Sequence, residues 1–221
     1  MRTPITALIA AGLVASPALA SEDHDHEHEG DVFLVIENDQ IVTGILDEGV
    51  FETERVFGVE FGEILPGVAD EPGFDNFEGT FAANTDIAAN FMSELPAWNG
   101  TALSPAAESL IFEFGPESFT SSTGFVPGIG IPVEANGEWH NHYDMLSSDA
   151  RAIGVYVMEM ERVSTQTGLA GSESFWFVFN NGDSETNHDA AIDYVESVLV
   201  PTPAAATMFA VAGVSILRRR R

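Results

Sequence analysis

The stretch Gly154–Val163 reads GVYVMEMERV, and the stretch Ser174–Asn180 reads SFWFVFN. In the first stretch two sets of side chains alternate, namely Val155, Val157, Glu159 and Glu161 with Tyr156, Met158, Met160 and Arg162. A period of two is typical of a β-strand, whose successive side chains point to opposite faces. We therefore predict a strand in each stretch and a fold that is built mainly from β-structure.

Further strands are predicted on the N-terminal side of this pair. Short apolar runs bounded by Gly, Pro, Asn or Asp indicate strands at Val32–Glu37, Gln40–Leu46, Arg55–Phe61, Leu110–Phe114, Glu117–Ser121 and Glu138–Leu146. The dipeptide Asn38-Asp39 predicts a hairpin turn between the first two strands. The segment 66–79 is rich in Pro, Gly and Asp and is predicted to be a loop.

One helix is predicted near the end of the chain. Ser184 is a suitable N-cap, and Pro201 stops the helix. A single apolar stripe is formed by Ile192, Val195 and Leu199. We therefore expect residues 31–200 to form one all-β domain, mainly an antiparallel β-sandwich, with one C-terminal amphipathic helix packed on an edge or a face.

The charge of the chain excludes several partners. All 35 acidic residues lie between residues 21 and 203, where the basic residues are Arg55, Arg151 and Arg162. Such a negative field repels nucleic acid and anionic lipid, attracts cations, and suits a salt-rich medium. The chain contains no Cys, which excludes disulfides, thiolate metal sites and a Cys nucleophile.

The N-terminus predicts export. Residues 1–20 combine a positive start at Arg2, an apolar run and the pattern Ala18-Leu19-Ala20, so we expect signal peptidase to cut after Ala20. Residues 21–30, SEDHDHEHEG, are predicted to be disordered. Their histidines, His24, His26 and His28, either scavenge divalent metals or form a solvated tail.

The C-terminus predicts handling at a membrane. Val200-Pro201-Thr202-Pro203 precedes the apolar stretch Ala204–Leu217 and the basic cluster Arg218–Arg221. The apolar stretch gives about 21 Å of helix, which is short for a hydrocarbon core of about 30 Å. The four arginines, Arg218, Arg219, Arg220 and Arg221, favour the cytoplasmic face. A plain tail anchor or a frayed amphipathic end is the alternative to a sorting signal.

This tail, residues 201–221, resembles the PEP-CTERM sorting domain. The usual motif of that family is Val-Pro-Glu-Pro, and Thr202 stands here in place of Glu. The resemblance implies that Pro201, Thr202 and Pro203 form the sorting motif for an exosortase-type processing enzyme. It also implies passage through the inner membrane, with a hydrophobic sorting helix, to the cell surface or the extracellular matrix.

Two histidines are the best candidates for metal ligands. His140 and His142 lie two positions apart in a predicted strand and so share a face. With His188, from the start of the helix, they could bind Zn²⁺ or Cu²⁺, and their nitrogens should then lie about 3–4.5 Å apart. The alternative is a pair of structural histidines.

His140-Asn141-His142 followed by Gly154-Val155-Tyr156 also resembles the His-x-His pattern of choice-of-anchor M and surface-anchored repeats, which implies a surface β-domain.

Catalysis finds little support in the sequence. The stretch Gly171–Ser174 does not supply a Gly-x-Ser-x-Gly nucleophile elbow. The loop Asp70–Asp75 could offer oxygen ligands to Ca²⁺, although clustered acids are common in so acidic a chain. We expect a non-enzymatic surface or matrix protein that binds a divalent metal. The alternative is a secreted polysaccharide-binding or hydrolytic module that uses Trp98, Trp139 or Trp176 as a sugar platform.

The two terminal signals make a prediction about the mature protein. Protein from the cell surface of the native host should lack residues 1–20 and most of Ala204–Arg221, because both ends carry processing signals. Intact-mass analysis of the surface fraction checks this. A mass that still includes Arg218–Arg221 would reject processing at the C-terminus and leave a simple anchor.

Overall fold

The computed structural model describes residues 30–201, which form fifteen strands and one α-helix. The strands are β1 Val32–Glu37, β2 Gln40–Asp47, β3 Val50–Thr53, β4 Val56–Glu60, β5 Val68–Ala69, β6 Phe74–Asp75, β7 Asp86–Phe91, β8 Pro96–Trp98, β9 Leu103–Pro105, β10 Leu110–Phe114, β11 Glu117–Thr120, β12 Ile131–Pro132, β13 Asp144–Ser147, β14 Gly154–Ser164 and β15 Phe175–Asn181. Helix α1 spans Glu185–Tyr194 and continues as a π-helical turn at Val195–Leu199.

Several predictions fall on the chain ends. The signal peptide, the acidic segment up to residue 29, and the tail from Thr202 onward lie outside the described residues. Between residues 30 and 201, neither helical segment combines the length and the apolar character that crossing a membrane requires.

The strands form three sheets. Two have four strands each, in the orders β3-β2-β1-β6 and β11-β10-β13-β5. The third has the order β12-β7-β14-β15-β4, with the β8–β9 hairpin attached to β14. Most neighbours are antiparallel, but β1 pairs with β6, and β15 with β4, in parallel. The prediction of a mostly β fold with one helix is confirmed, while the sheets are mixed and number three rather than two.

The first hairpin follows the local sequence closely. Glu37 pairs with Gln40, which leaves Asn38 and Asp39 as a two-residue turn. Both turn residues have positive φ, at 51° and 61°, as a type I′ turn requires. Asn and Asp tolerate this left-handed region better than other residues with side chains, so the turn and its register are set locally.

Strand β15 has both of its faces covered. All seven of its residues are buried. Phe175, Phe177 and Phe179 lie in the large core that the two four-stranded sheets share with this sheet. Trp176 and Val178 face the opposite way, into a smaller core. The molecule therefore has the large sheet in the middle, with the two small sheets on one side and the helix on the other.

Helix α1 closes the smaller core. The Ser184 hydroxyl accepts a hydrogen bond from the Asn187 amide, which confirms the predicted N-cap. Ala191, Ile192 and Val195 are buried against Val56, Val155 and other residues of the large sheet. The predicted apolar stripe thus packs on a sheet face, and burial of Ile192 and of Val195 contributes about 1.5–3 kcal/mol each.

Two predictions about strands were wrong. The predicted strand at Glu138–Leu146 is regular only at Asp144–Ser147, and Asn141 instead makes an isolated bridge with Phe74. The segment 66–79, which was predicted to be a loop, contains the short strands β5 and β6. Strands β3, β7, β8, β9 and β12 were also not predicted. The segment 80–91 has no clear period, and its pairing with β14 is a tertiary contact that the local pattern does not record.

Arg162 occupies an unusual place in the larger core. It lies on the β14 face that was predicted from the alternation, and its side chain is fully buried. Its guanidinium carbon lies 3.3 Å from the ring centroid of Phe74, 5.1 Å from that of Trp139 and 5.6 Å from that of Tyr143. Among residues 30–201 its guanidinium nitrogens have no acceptor in hydrogen-bonding geometry. Burial lowers the pKa of Arg162 to about 10, and the nearby Tyr143 opposes that shift.

Substitution tests whether the desolvation cost of the Arg162 guanidinium exceeds the stabilisation from its contacts with aromatic rings. Arg162→Met should raise the free energy of unfolding by about 1–2 kcal/mol, because desolvating an unpaired guanidinium costs several kcal/mol and its ring contacts return about 2 kcal/mol. Urea unfolding measures the change. The exposed Arg151→Met is the control and should stay within about 0.5 kcal/mol of wild type. A loss of stability in Arg162→Met would show that the ring contacts outweigh the desolvation.

Candidate metal centre

The histidine segment is anchored at both ends by buried aromatic residues. Trp139 donates its backbone amide to the Asn76 side chain at 2.8 Å and its indole N–H to the Ile131 carbonyl at 3.0 Å. Tyr143 packs edge-on against Phe74. Between these anchors, His140 and His142 are half exposed. The segment is therefore held rigidly at its ends, with its imidazoles directed toward solvent.

A single backbone bridge sets the direction of the two imidazoles. Asn141 and Phe74 exchange both of their backbone hydrogen bonds at 3.0 Å. His140 and His142 flank this bridge in extended backbone and so share one side of it. Their Nε2 atoms lie 3.0 Å apart, a separation that agrees with the range predicted from the sequence. The common face is confirmed, although it arises from one bridge and not from a strand.

Asp31 joins the two histidines, and the sequence did not indicate it. Its Oδ2 lies 3.0 Å from Nε2 of His140, and its Oδ1 lies 3.8 Å from Nε2 of His142. The pairing of strands explains this placement, since Val32 pairs with Phe74 in β6 and Phe74 in turn bridges to Asn141. Asp31 precedes Val32, so three chain segments bring it beside the histidines.

The hydrogen bond of His142 prepares its other nitrogen for a ligand. Nδ1 of His142 lies 3.0 Å from the backbone carbonyl of Asp70. In the neutral ring Nδ1–H donates to this carbonyl, which leaves the lone pair on Nε2, directed at His140 and Asp31. Metal-bound histidines are oriented by such bonds. One ligand atom each from Asp31, His140 and His142 lies within 4.8 Å of the others.

The cluster opens into an acidic cavity of about 680 Å³. Five carboxylates line it, and no Lys or Arg among residues 30–201 does. These acids are Asp31, Glu60, Glu63, Asp70 and Glu71. Asp70 and Glu71 belong to the acidic loop in which the sequence suggested a calcium site, and they contribute here to the wall around the histidines.

His188 does not join His140 and His142. Its Nε2 lies 2.8 Å from the Val178 carbonyl and its Nδ1 lies 2.9 Å from Oε1 of Glu60, with the ring fully buried. The prediction of a three-histidine cluster was therefore wrong. The reason is the position of α1, which covers the face of the large sheet opposite the two small sheets.

The surroundings of His188 favour its charged form. Burial works to lower its pKa, but the hydrogen bonds to Glu60 and the Val178 carbonyl, with the charges of Glu60 and Glu185, outweigh burial and raise the pKa above its usual value. The charged form of the ring is therefore favoured by its position beside Glu60. This interaction stabilises the fold below the unfolded pKa and is lost as the pH rises through the folded value.

The predicted sugar platforms are inside the protein. Trp98, Trp139 and Trp176 are 8%, 0% and 6% exposed, so none of them presents a ring face to solvent. A polysaccharide site would need other contacts. The tract with His24, His26 and His28 lies outside the described residues.

No protein-family model and no curated protein matches the chain. The ligand that the site accepts therefore follows from the chemistry of its side chains alone. Two imidazole nitrogens and one carboxylate, with open space in front of them, form a ligand set that suits Zn²⁺, Cu²⁺ or a non-haem iron ion.

Gly73 is packed against the site and leaves no room for an added side chain. A Cβ atom at this position would lie 2.6 Å from Nε2 of His142 and 2.7 Å from Oδ1 of Asp31. Both distances are shorter than a non-bonded contact. The absence of a side chain at position 73 therefore lets Asp31 and His142 approach each other.

Substitution at Gly73 should destabilise the metal-free protein. Gly73→Ala is expected to lower the free energy of unfolding by about 1–3 kcal/mol, because the methyl group overpacks the contact between Asp31 and His142. Urea unfolding with a chelator present measures this. Gly124→Ala is the matched control, because a Cβ there would meet no atom within 4 Å. Equal stability of the two variants would contradict the tight packing.

Proposed function

We propose that this protein is an exported, surface-sorted β-domain of non-enzymatic function that binds a divalent transition-metal ion through Asp31, His140 and His142. The observation that carries the proposal is the convergence of two imidazole Nε2 atoms at 3.0 Å, with a carboxylate oxygen 3.0 Å from one of them. The three ligand atoms lie at the edge of an acidic cavity, and its negative charge attracts cations.

The donor atoms select the class of metal. Ligand bonds of about 2.1 Å to nitrogens 3.0 Å apart meet at an angle of about 90°, which leaves further positions open toward the cavity. Imidazole nitrogen suits Zn²⁺ and Cu²⁺, whereas Ca²⁺ and Mg²⁺ prefer oxygen ligands alone. Zn²⁺ or Cu²⁺ is therefore the expected ion.

Two features favour binding over catalysis. The cavity wall offers carboxylates and imidazoles, and within the described part of the chain no hydroxyl, thiol or amine that could act as a nucleophile lines it. The negative field of the domain also concentrates divalent cations around the site. The paired terminal signals and the PEP-CTERM-like tail support a role at the cell surface or in the extracellular matrix, after processing by an exosortase-type enzyme.

Metal binding is tested by calorimetric titration with Zn²⁺ at high salt, which suppresses loose binding to surface carboxylates. His140→Ala/His142→Ala and Asp31→Asn should each remove one equivalent of tightly bound Zn²⁺, because each removes ligands of the same ion. The control is Asp144→Asn, an exposed carboxylate two positions beyond His142, which should keep the wild-type isotherm. Identical isotherms for wild type and the double histidine variant would overturn the proposal and make the pair structural.

A further inference from the structure

A second group of ligand-type side chains lies outside the centre described above. One ligand atom each from Glu60, Glu185 and His188 lies within 4.8 Å of the others. We propose that these three residues form a second, independent binding site for a divalent transition-metal ion such as Zn²⁺. The proposal does not depend on the first site, since the two sites share none of these ligands.

The orientation of His188 is the first support. Its Nε2 lies 2.8 Å from the Val178 carbonyl of β15 and donates its hydrogen there, because a carbonyl only accepts. The lone pair of the neutral ring is therefore on Nδ1, which faces Glu60 at 2.9 Å. A ring oriented by a backbone carbonyl, with its other nitrogen facing a carboxylate, is the usual arrangement of a metal-bound histidine.

The position of Glu60 is also fixed by its neighbours. Glu60 ends β4 and pairs with Asn180 of β15 in the parallel register. The side-chain NH₂ of Asn180 donates to Oε1 of Glu60 at 3.2 Å. The side-chain oxygen of Asn180 accepts from the backbone amide of Asp183 at 2.9 Å. The turn that leads into α1 thus holds the carboxylate in place. Ligating carboxylates are commonly hydrogen-bonded in this way.

The site is reached from solvent. Glu60 is about one third exposed and lines the acidic cavity. Glu185, in the first turn of α1, is exposed. An ion can therefore approach through the two carboxylates and meet the buried ring of His188 last. The ion binds Nδ1 of the neutral ring, so any proton held there is released to solvent.

Two carboxylates and one imidazole make a chemically sensible set for Zn²⁺. This ion accepts His nitrogen together with Asp or Glu oxygen and commonly keeps a fourth position for water. Its charge is balanced here by the two carboxylates, so the buried ring needs no further counter-ion. The geometry points to one ion bound at the junction of β4, β15 and α1.

Calorimetric titration with Zn²⁺ at high salt and neutral pH tests the proposal, using the full mature chain with His24, His26 and His28 changed to Ala so that this tract adds no equivalent. Wild type should bind two equivalents. Glu185→Gln and His188→Gln should each bind one, because either substitution removes a ligand, and Gln at position 188 retains a donor. Asp193→Asn, an exposed carboxylate on the same helix, is the matched control and should keep two equivalents.

The variants separate this site from the first one. The equivalent that remains in Glu185→Gln should disappear when His140→Ala/His142→Ala is added. Two equivalents in both Glu185→Gln and His188→Gln would overturn the second site and leave His188 and Glu60 as a structural ion pair. A wild type that binds one equivalent, lost in His140→Ala/His142→Ala, would also overturn it. Glu185→Gln changes an exposed side chain, so failure to fold does not obscure the result.

Discussion

The structure depends on the burial of strand β15 from both sides. Its aromatic residues alternate between two cores, so the sheet that contains it needs a layer on each face. The small sheets supply one layer and helix α1 the other. Both candidate metal sites follow from this, because Phe177 stacks on Phe74 beside the histidine segment, and Val178 accepts the hydrogen bond of His188. Loosening β15 would disturb both sites at once.

The local pattern predicted the elements that a few neighbouring residues control. The alternation at β14, the Asn38-Asp39 turn and the Ser184 cap depend on dihedral angles and hydrogen bonds within short segments. Strand β7 has no such local pattern in its sequence, because its position depends on pairing with β14. Local chemistry therefore predicted the mostly β class, while the number and the mixed direction of the sheets depend on long-range pairing.

The candidate site also combines features that local sequence predicts with features that depend on long-range contacts. The common face of His140 and His142 was predictable from their spacing. Asp31 was not, because its place depends on the pairing of Val32 with Phe74 and of Phe74 with Asn141. The start of the helix was predicted. Which face of the large sheet the helix covers depends on which of the two cores each face contributes to. For that reason His188 was assigned to the wrong group of ligands.

An ion held by Asp31 and His140 would join two points of the chain that are far apart in sequence. In a protein without cysteine, it would act as a cross-link between the first strand and the middle of the domain. A link that closes a loop of about 100 residues restricts the unfolded chain by about 4–5 kcal/mol in the loop-entropy description. The availability of metal around the protein would then govern its resistance to unfolding and proteolysis, much as oxidising conditions do for disulfide-bonded proteins.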